Sequence, residues 1–183
     1  MLSAEGALTK RQLIQEQLNE CFNTFFSRGI QLGAIACNTL HAFLGEQMPF
    51  KIVHIVEQVA QVLRQKKISR SLVLCSTTSV KSQLHATYFN CFYPTNEFQR
   101  VVDHVIDSVL AGKETLQDVY QLITAIHTFY SSLDLTDEIF GIVLGCTEFS
   151  VLNDRWPLVA YGLKGHFVVI DSTQSLAEGI CEM

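Results

Sequence analysis

No stretch of this 183-residue chain approaches the roughly twenty consecutive apolar residues needed to cross a bilayer, so no membrane partner is expected. Long Pro, Gly or Ser tracts are absent as well, which excludes a linker-like or disordered chain. With about half its composition apolar, the chain suffices for one sizeable core or two small ones. The formal charge of −5 is modest and spread out. Basic residues gather only at Arg64, Lys66, Lys67 and Arg70, with no interleaved aromatics, so nucleic acid is not an expected partner either. The opening MLSAEGALTK lacks the charged head and apolar middle of a signal peptide, and the expected compartment is the cytoplasm.

The sequence also lacks any CxxC pair. Its six cysteines, Cys21, Cys37, Cys75, Cys91, Cys146 and Cys181, are scattered through a chain too large to depend on staples, so reduced thiols are expected. The six histidines, His41, His54, His85, His104, His127 and His166, show no clustering with the cysteines at zinc-ligand spacing, and no metal is expected. No fixed-period repeat and no low-complexity segment occurs.

What is present is an alternation of two periods. Ile14, Leu18, Phe22, Phe25 and Phe26 recur at helical spacing until Gly29, and Leu32 to Ala36 follows as a short buried run of the kind a parallel strand shows. The pattern continues through the strand-like KIVHIV, the helical EQVAQVLRQKK, the strand-like SLVLC, a helix from about Val80, and a short CFYP. Two helical stretches follow, around Val101 to Leu110 and Leu116 to Phe129, then the buried run IFGIVLGC, and finally HFVVI leading into DSTQSLAEGI. Such alternation predicts an α/β fold with parallel sheets flanked by helices and with ligands collecting at the carboxyl ends of the strands.

Two stretches share one plan. In LGAIACNTLHAF an apolar run ends at Cys37, Asn38 and Thr39, and in IFGIVLGCTEFS it ends at Cys146 and Thr147. Each thiol is expected at the end of a buried strand and the start of a helix. There, free backbone N–H groups favour an anion and pull the thiol pKa below its usual value of about 8.5. A single buried cysteine is ordinarily inert packing, and Cys21, Cys75, Cys91 and Cys181 are read that way. Two strand-end Cys-plus-Thr turns in one chain make Cys37 and Cys146 the candidates for chemistry.

ACNTLH (Ala36 to His41) together with LGCTE (Leu144 to Glu148) resembles the two active-site signatures of the aspartate/glutamate racemase superfamily, which works without pyridoxal phosphate. VLCSTTSVKSQL resembles the family's strand and Ser/Thr turn, and HFVVIDSTQSLAE its closing strand and helix, so the likeness runs from about Gly33 almost to the C-terminus. The histidine after the first Cys-Asn-Thr and the glutamate after the second Cys-Thr resemble the aspartate branch more than the glutamate branch.

The resemblance implies a cofactor-independent amino-acid racemase, an isomerase acting on aspartate or a related acidic amino acid. Its active site would lie in the cleft between two small α/β domains, residues 1–56 plus 171–183 and residues 57–170. Inverting an α-carbon requires a base on one face and an acid on the other, and Cys37 and Cys146 would share those roles. Asn38, Thr39, Ser76, Ser79 and Thr147 match the family's polar substrate contacts by position. A homodimer is the assembly such relatives imply, although no residue here fixes it.

Other positions carry two readings. Asn38 and Thr39 serve equally as helix caps. His41 is either a satisfied histidine at a helix start or a residue that orients Cys37. Glu148 places charge in a helix's first turn, a stabilising position regardless of function, and is left outside the catalytic set. Lys81 and Lys113 read as surface.

The departures from the family pattern also carry expectations. Full-length relatives begin with a strand–helix–strand segment and carry a carboxylate-binding arginine on a following loop, and neither is found here, so the first domain reads as truncated. Thr78 and Gln83 stand where glycines are usual, His85 where a phenol is common, and Leu110 where a lysine is. A sheet deprived of that segment is expected to expose an unpaired edge and an apolar helix face. A catalytically silent, vestigial domain is therefore the alternative to an enzyme, and a dithiol redox protein is a weaker third reading.

Overall fold

The computed structural model describes residues 4–45, 48–133, 135 and 139–182, with side chains from residue 10 onward. In chain order the elements are α1 (Ala4–Ser27), β1 (Leu32–Ala34), α2 (Asn38–His41), β2 (Lys51–Val53), α3 (Ile55–Gln65), β3 (Arg70–Leu74) and α4 (Thr77–Lys81). They continue with β4 (Cys91–Phe92), α5 (Asn96–Leu110), α6 (Leu116–Ser131), β5 (Phe140–Leu144), α7 (Thr147–Arg155), β6 (Phe167–Asp171) and α8 (Ser172–Cys181). All strand pairs are parallel, as the alternation predicts. β1 pairs with β2, and the other four strands form a sheet in the order β4-β3-β5-β6.

Buried runs take the centre. β5 is buried at every position and β3 at all but its first, because helices cover both faces of these strands. One face is covered by α5, α6 and α7, whose Val102, Val105, Leu122, Ile126 and Phe149 pack on Leu72, Leu74, Ile142 and Leu144. On the other face, α3 turns Val59 and Leu63 onto Val73, Val143 and Ile170. The first turn of α3 belongs to a different cluster, in which Ile55 and Val56 meet Val53, Leu84 and Leu176. One helix thus ties the two-stranded sheet to the four-stranded one. No helix among the described residues is long and apolar enough to span a membrane.

Register places the site. Leu74 pairs with Leu144 and Leu144 with Asp171, so the turns that begin at Cys75, Gly145 and Ser172 leave the sheet along one level rim. Gly145 is required there by proximity: a Cβ on it would lie 2.8 Å from Val73 Cγ1 and 3.2 Å from both Cys75 Cβ and His85 Nε2. Gly145→Ala is expected to destabilise the protein by about 1–3 kcal/mol through overpacking. Urea unfolding measures this, and an unchanged midpoint would mean that the rim yields freely.

Three element boundaries differ from the sequence reading. The helix expected from about Val80 is the short α4, which starts at Thr77 because Ser76 caps it, its Oγ accepting from Ser79 N. The helix α5 starts at Asn96 rather than near Val101, since Thr95 Oγ1 accepts from Phe98 N. KIVHIV is strand only to Val53, and its second half is the buried start of α3.

The expected bare edge and helix face are both found. Among the described residues β1 pairs only with β2, and Leu32 on it is 42% exposed. In α1, Phe22 is buried edge-on against Phe50, with ring centroids 5.7 Å apart, whereas Leu13, Phe25 and Phe26 face outward.

Candidate active site

The two turns singled out by sequence are built alike. Cys37 is the N-cap of α2 and Cys146 the N-cap of α7, each in extended backbone conformation with φ of −156° and −149°. Each side chain therefore leaves its strand end just where the next helix begins. The sulfurs are electrostatic neighbours: a negative charge on Cys37 raises the pKa of Cys146. Cys37 is half-buried, and Cys146 is buried with 8% of its surface exposed.

The environment of Cys146 corrects one expectation. A strand-end, helix-start position is expected to lower a thiol pKa, but that of Cys146 is pushed far above its usual value, first by burial and then by Glu148. The Cys146 thiol donates to Glu148 Oε2 at 2.7 Å, and the Thr147 hydroxyl donates to the same oxygen at 3.2 Å. Loss of the thiol proton would leave two negative charges side by side in a partly dry site, which outweighs the favourable helix end. Glu148, left aside on sequence grounds, is thus a direct partner of the thiol. Its proximity to Cys146, two residues earlier in the same turn, was the available signal.

Hydroxyl groups gather on the Cys37 side. Thr39 Oγ1 lies 2.9 Å from Ser76 Oγ and 3.4 Å from Ser79 Oγ, and the two serines are 3.3 Å apart, so α2 and α4 meet through a triangle of hydroxyls. Ser79 is fully buried, while Thr39 and Ser76 are half-buried. The structure therefore brings Thr39, Ser76 and Ser79 together and keeps Thr147 with Glu148 beside the second thiol.

Asn38 does something the sequence did not suggest. It is 1% exposed, and its Nδ2 donates to Ser172 Oγ at 2.8 Å, while that hydroxyl donates to the Leu144 carbonyl at 2.7 Å. This chain fastens the Cys37 turn to the strand that delivers Cys146, across 134 residues of sequence. The other end of the amide, Oδ1, faces His85 Nε2 at 3.4 Å, so the proton on that ring sits on Nε2. Neither Asn38 nor Thr39 caps α2, since no side-chain cap bond is made there.

A cluster of three histidines backs the Cys37 turn. His41 and His54 meet with ring centroids 4.3 Å apart, and His54 stacks on Tyr88 at 4.9 Å. Burial lowers the pKa of all three: that of His54 to about 4, helped by His41, and that of His85 to about 3, helped by His54 and His41. For His41 burial prevails over the Cys37 and Val53 carbonyls, which favour its charged form.

Arg11 and Arg155 are engaged away from the two thiols. Arg11 reaches the Ala42 carbonyl and the Phe43 ring, and Arg155 pairs with Glu114 at 2.7 Å while lying over Trp156. Among the described residues no group of three or more His, Cys, Asp or Glu side chains is arranged to hold a metal ion.

No known family model matches the chain. A glutamate racemase of Persephonella marina is 25% identical over 94% of this chain, and the chain spans 65% of that relative's length. In fold the chain is similar to the aspartate racemase of Picrophilus torridus (TM-score 0.60, 21% identity, 91% of this chain and 68% of that one). It is likewise similar to an Asp/Glu racemase structure, described as putative, from Yersinia pestis (TM-score 0.69, 15% identity, 97% and 76%). The resemblance drawn from ACNTLH and LGCTE therefore extends to the fold of nearly the whole chain.

Proposed function

We propose that this chain is a cofactor-independent amino-acid racemase that inverts the α-carbon of aspartate, or of a closely related acidic amino acid, between Cys37 and Cys146. The observation that supports this most is the pair of equivalent N-cap thiols, close enough for one charge to bear on the other, beside hydroxyl groups from two further turns.

The roles follow from the surroundings of each sulfur. Cys146 holds its proton at rest, because burial and Glu148 oppose its ionisation, so it is the acid in the direction that starts from this state and Cys37 is the base. In that direction Cys37 removes the α-proton from one face and Cys146 delivers its own to the other. Glu148, hydrogen-bonded to the Cys146 thiol, is placed to take up that proton when the opposite enantiomer requires Cys146 to be the base.

With no electron sink, the carbanion must be stabilised by directed donors. Thr39, Ser76 and Thr147, all half-buried, supply hydroxyls for the substrate carboxylate and ammonium, while the buried Ser79 and Asn38 act from behind them, Ser79 by bonding to Thr39 and Ser76 and Asn38 by holding the Cys37 turn in place. On this reading residues 1–56 with 171–183 form one wall of the cleft and residues 57–170 the other. The enzyme works in the cytoplasm, as a homodimer.

The preference for aspartate rests on His41 after the first signature and Glu148 after the second, which resemble the aspartate branch more than the glutamate branch. Incubation with L-aspartate or L-glutamate, followed by chiral chromatography, tests it: D-aspartate should accumulate, with D-glutamate forming more slowly. If neither enantiomer forms, the racemase reading falls and the catalytically silent domain takes its place.

A further inference from the structure

His41 stands one turn after Cys37 and makes a bond with each of its ring nitrogens. Ile55 N–H donates to Nε2 at 3.3 Å, which makes that nitrogen the unprotonated one, and Nδ1 then carries the hydrogen and donates to the Cys37 carbonyl at 2.9 Å. The two bonds join the turn bearing the thiol to the first residue of α3, the helix that links both sheets. His41 is 4% exposed, and its ring is bordered by that of His54.

We propose that His41 is a positioning residue for Cys37, its imidazole held in a single neutral tautomer between the Cys37 carbonyl and the Ile55 amide. The inference rests on the reading of Cys37 as a catalytic thiol, though the clamp itself is a matter of two hydrogen bonds. Its function is to fix where the sulfur points. The turn is short, four residues of helix with no side-chain cap, and besides His41 it is held by the Asn38 contacts to Ser172 and His85, by Arg11 on the Ala42 carbonyl and by the hydroxyl triangle.

The groups that face His41 favour the neutral ring. His54 lies against it and His85 acts on it from beyond, both cationic if charged. Glu57 on α3 acts on Tyr88, which stacks on His54. The contrary partners are the Cys37 and Val53 carbonyls, which favour the charged ring but are outweighed by burial.

Two substitutions divide the clamp. Asn at 41 carries an N–H donor where Nδ1 stands and keeps the bond to Cys37, whereas Gln carries an acceptor where Nε2 stands and keeps only the bond to Ile55. The readout is the rate of Cys37 alkylation by iodoacetamide, followed by peptide mass, with the exposed Cys21 and Cys181 in the same molecule as internal standards.

His41→Gln should raise the Cys37 rate several-fold while His41→Asn leaves it within about two-fold of wild type, and the standards should not move. Where racemisation is measurable, Gln should lower kcat by roughly a hundred-fold, the scale of a 1 Å misplacement, with KM little changed. Nitrogen-15 spectra of the wild-type imidazole should show Nδ1–H at pH 7. An Nε2–H tautomer, or Asn and Gln variants with the same Cys37 reactivity, would overturn the proposal. If the wild-type protein racemises nothing, the functional reading fails by itself, and the tautomer and alkylation pattern still decide about His41.

Discussion

Cys37→Ser and Cys146→Ser should each lower racemisation by roughly a thousand-fold, within the ~10²–10⁴ that a positioned acid–base group contributes. A serine hydroxyl occupies nearly the same place as the thiol but does not ionise near neutral pH, so geometry survives while proton transfer stops. Both variants should therefore fold, with unfolding midpoints close to wild type. Cys75→Ser is the informative control. That thiol is completely buried and its pKa is raised by burial, Cys91 and Asp103, so it cannot serve as a base, and serine there should cost stability rather than turnover. Equal losses of activity from all three substitutions would point to a folding effect and remove the special status of the pair.

Acid should loosen the protein well before its carboxylates are neutralised. In the folded state His54 and His85 have pKa values lowered to about 4 and about 3, from 6.5 when exposed, and that of His41 is lowered as well. A histidine with a depressed folded pKa binds fewer protons than the unfolded chain below pH 6.5. Its contribution is therefore intact above that value and is lost as the pH falls from 6.5 toward the folded pKa. For the fully buried His85 the loss is roughly 1.4 kcal/mol per pH unit, about 2 kcal/mol by pH 5. His54 adds less, because solvent reaches part of its ring.

Urea titrations between pH 7 and 5 should show this decline, and His85→Gln, which keeps an N–H donor toward Asn38 Oδ1 but cannot titrate, should remove most of it. The same slope in wild type and variant would show that the cluster does not control acid stability. Because the cluster backs the Cys37 turn, activity should fall over the same range.

The thiol turns were legible in the sequence because their signal is local: an apolar strand ending in a small residue, a cysteine and a threonine, twice. Strand positions and the parallel architecture were legible for the same reason, but Leu32 to Ala36, expected as a buried run, is the short edge strand β1 with no buried residue, because only β2 pairs with it among the described residues. The electrostatics of Cys146 were not, since the helix end argues for a lowered pKa and only the folded environment shows burial and Glu148 opposing it. Long-range ties were invisible too. Asn38 and Ser172 each look like a helix-start residue, and nothing in either segment says that they bond to each other. The histidine cluster is drawn from α2, the start of α3 and the turn after α4, so no spacing rule could have assembled it. At α5 the cue was present: Thr95, three residues before Phe98, caps a helix that the apolar periodicity alone starts too late.

Isotope placement during turnover in deuterated water tests the central claim most directly. If separate sulfurs serve the two faces of the α-carbon, the first D-aspartate formed from L-aspartate carries solvent deuterium, while the L-aspartate recovered at the same moment is still protonated. Deuterium appearing equally in both enantiomers from the outset would mean that one group serves both faces, and Cys37 and Cys146 would then not be the opposed pair described.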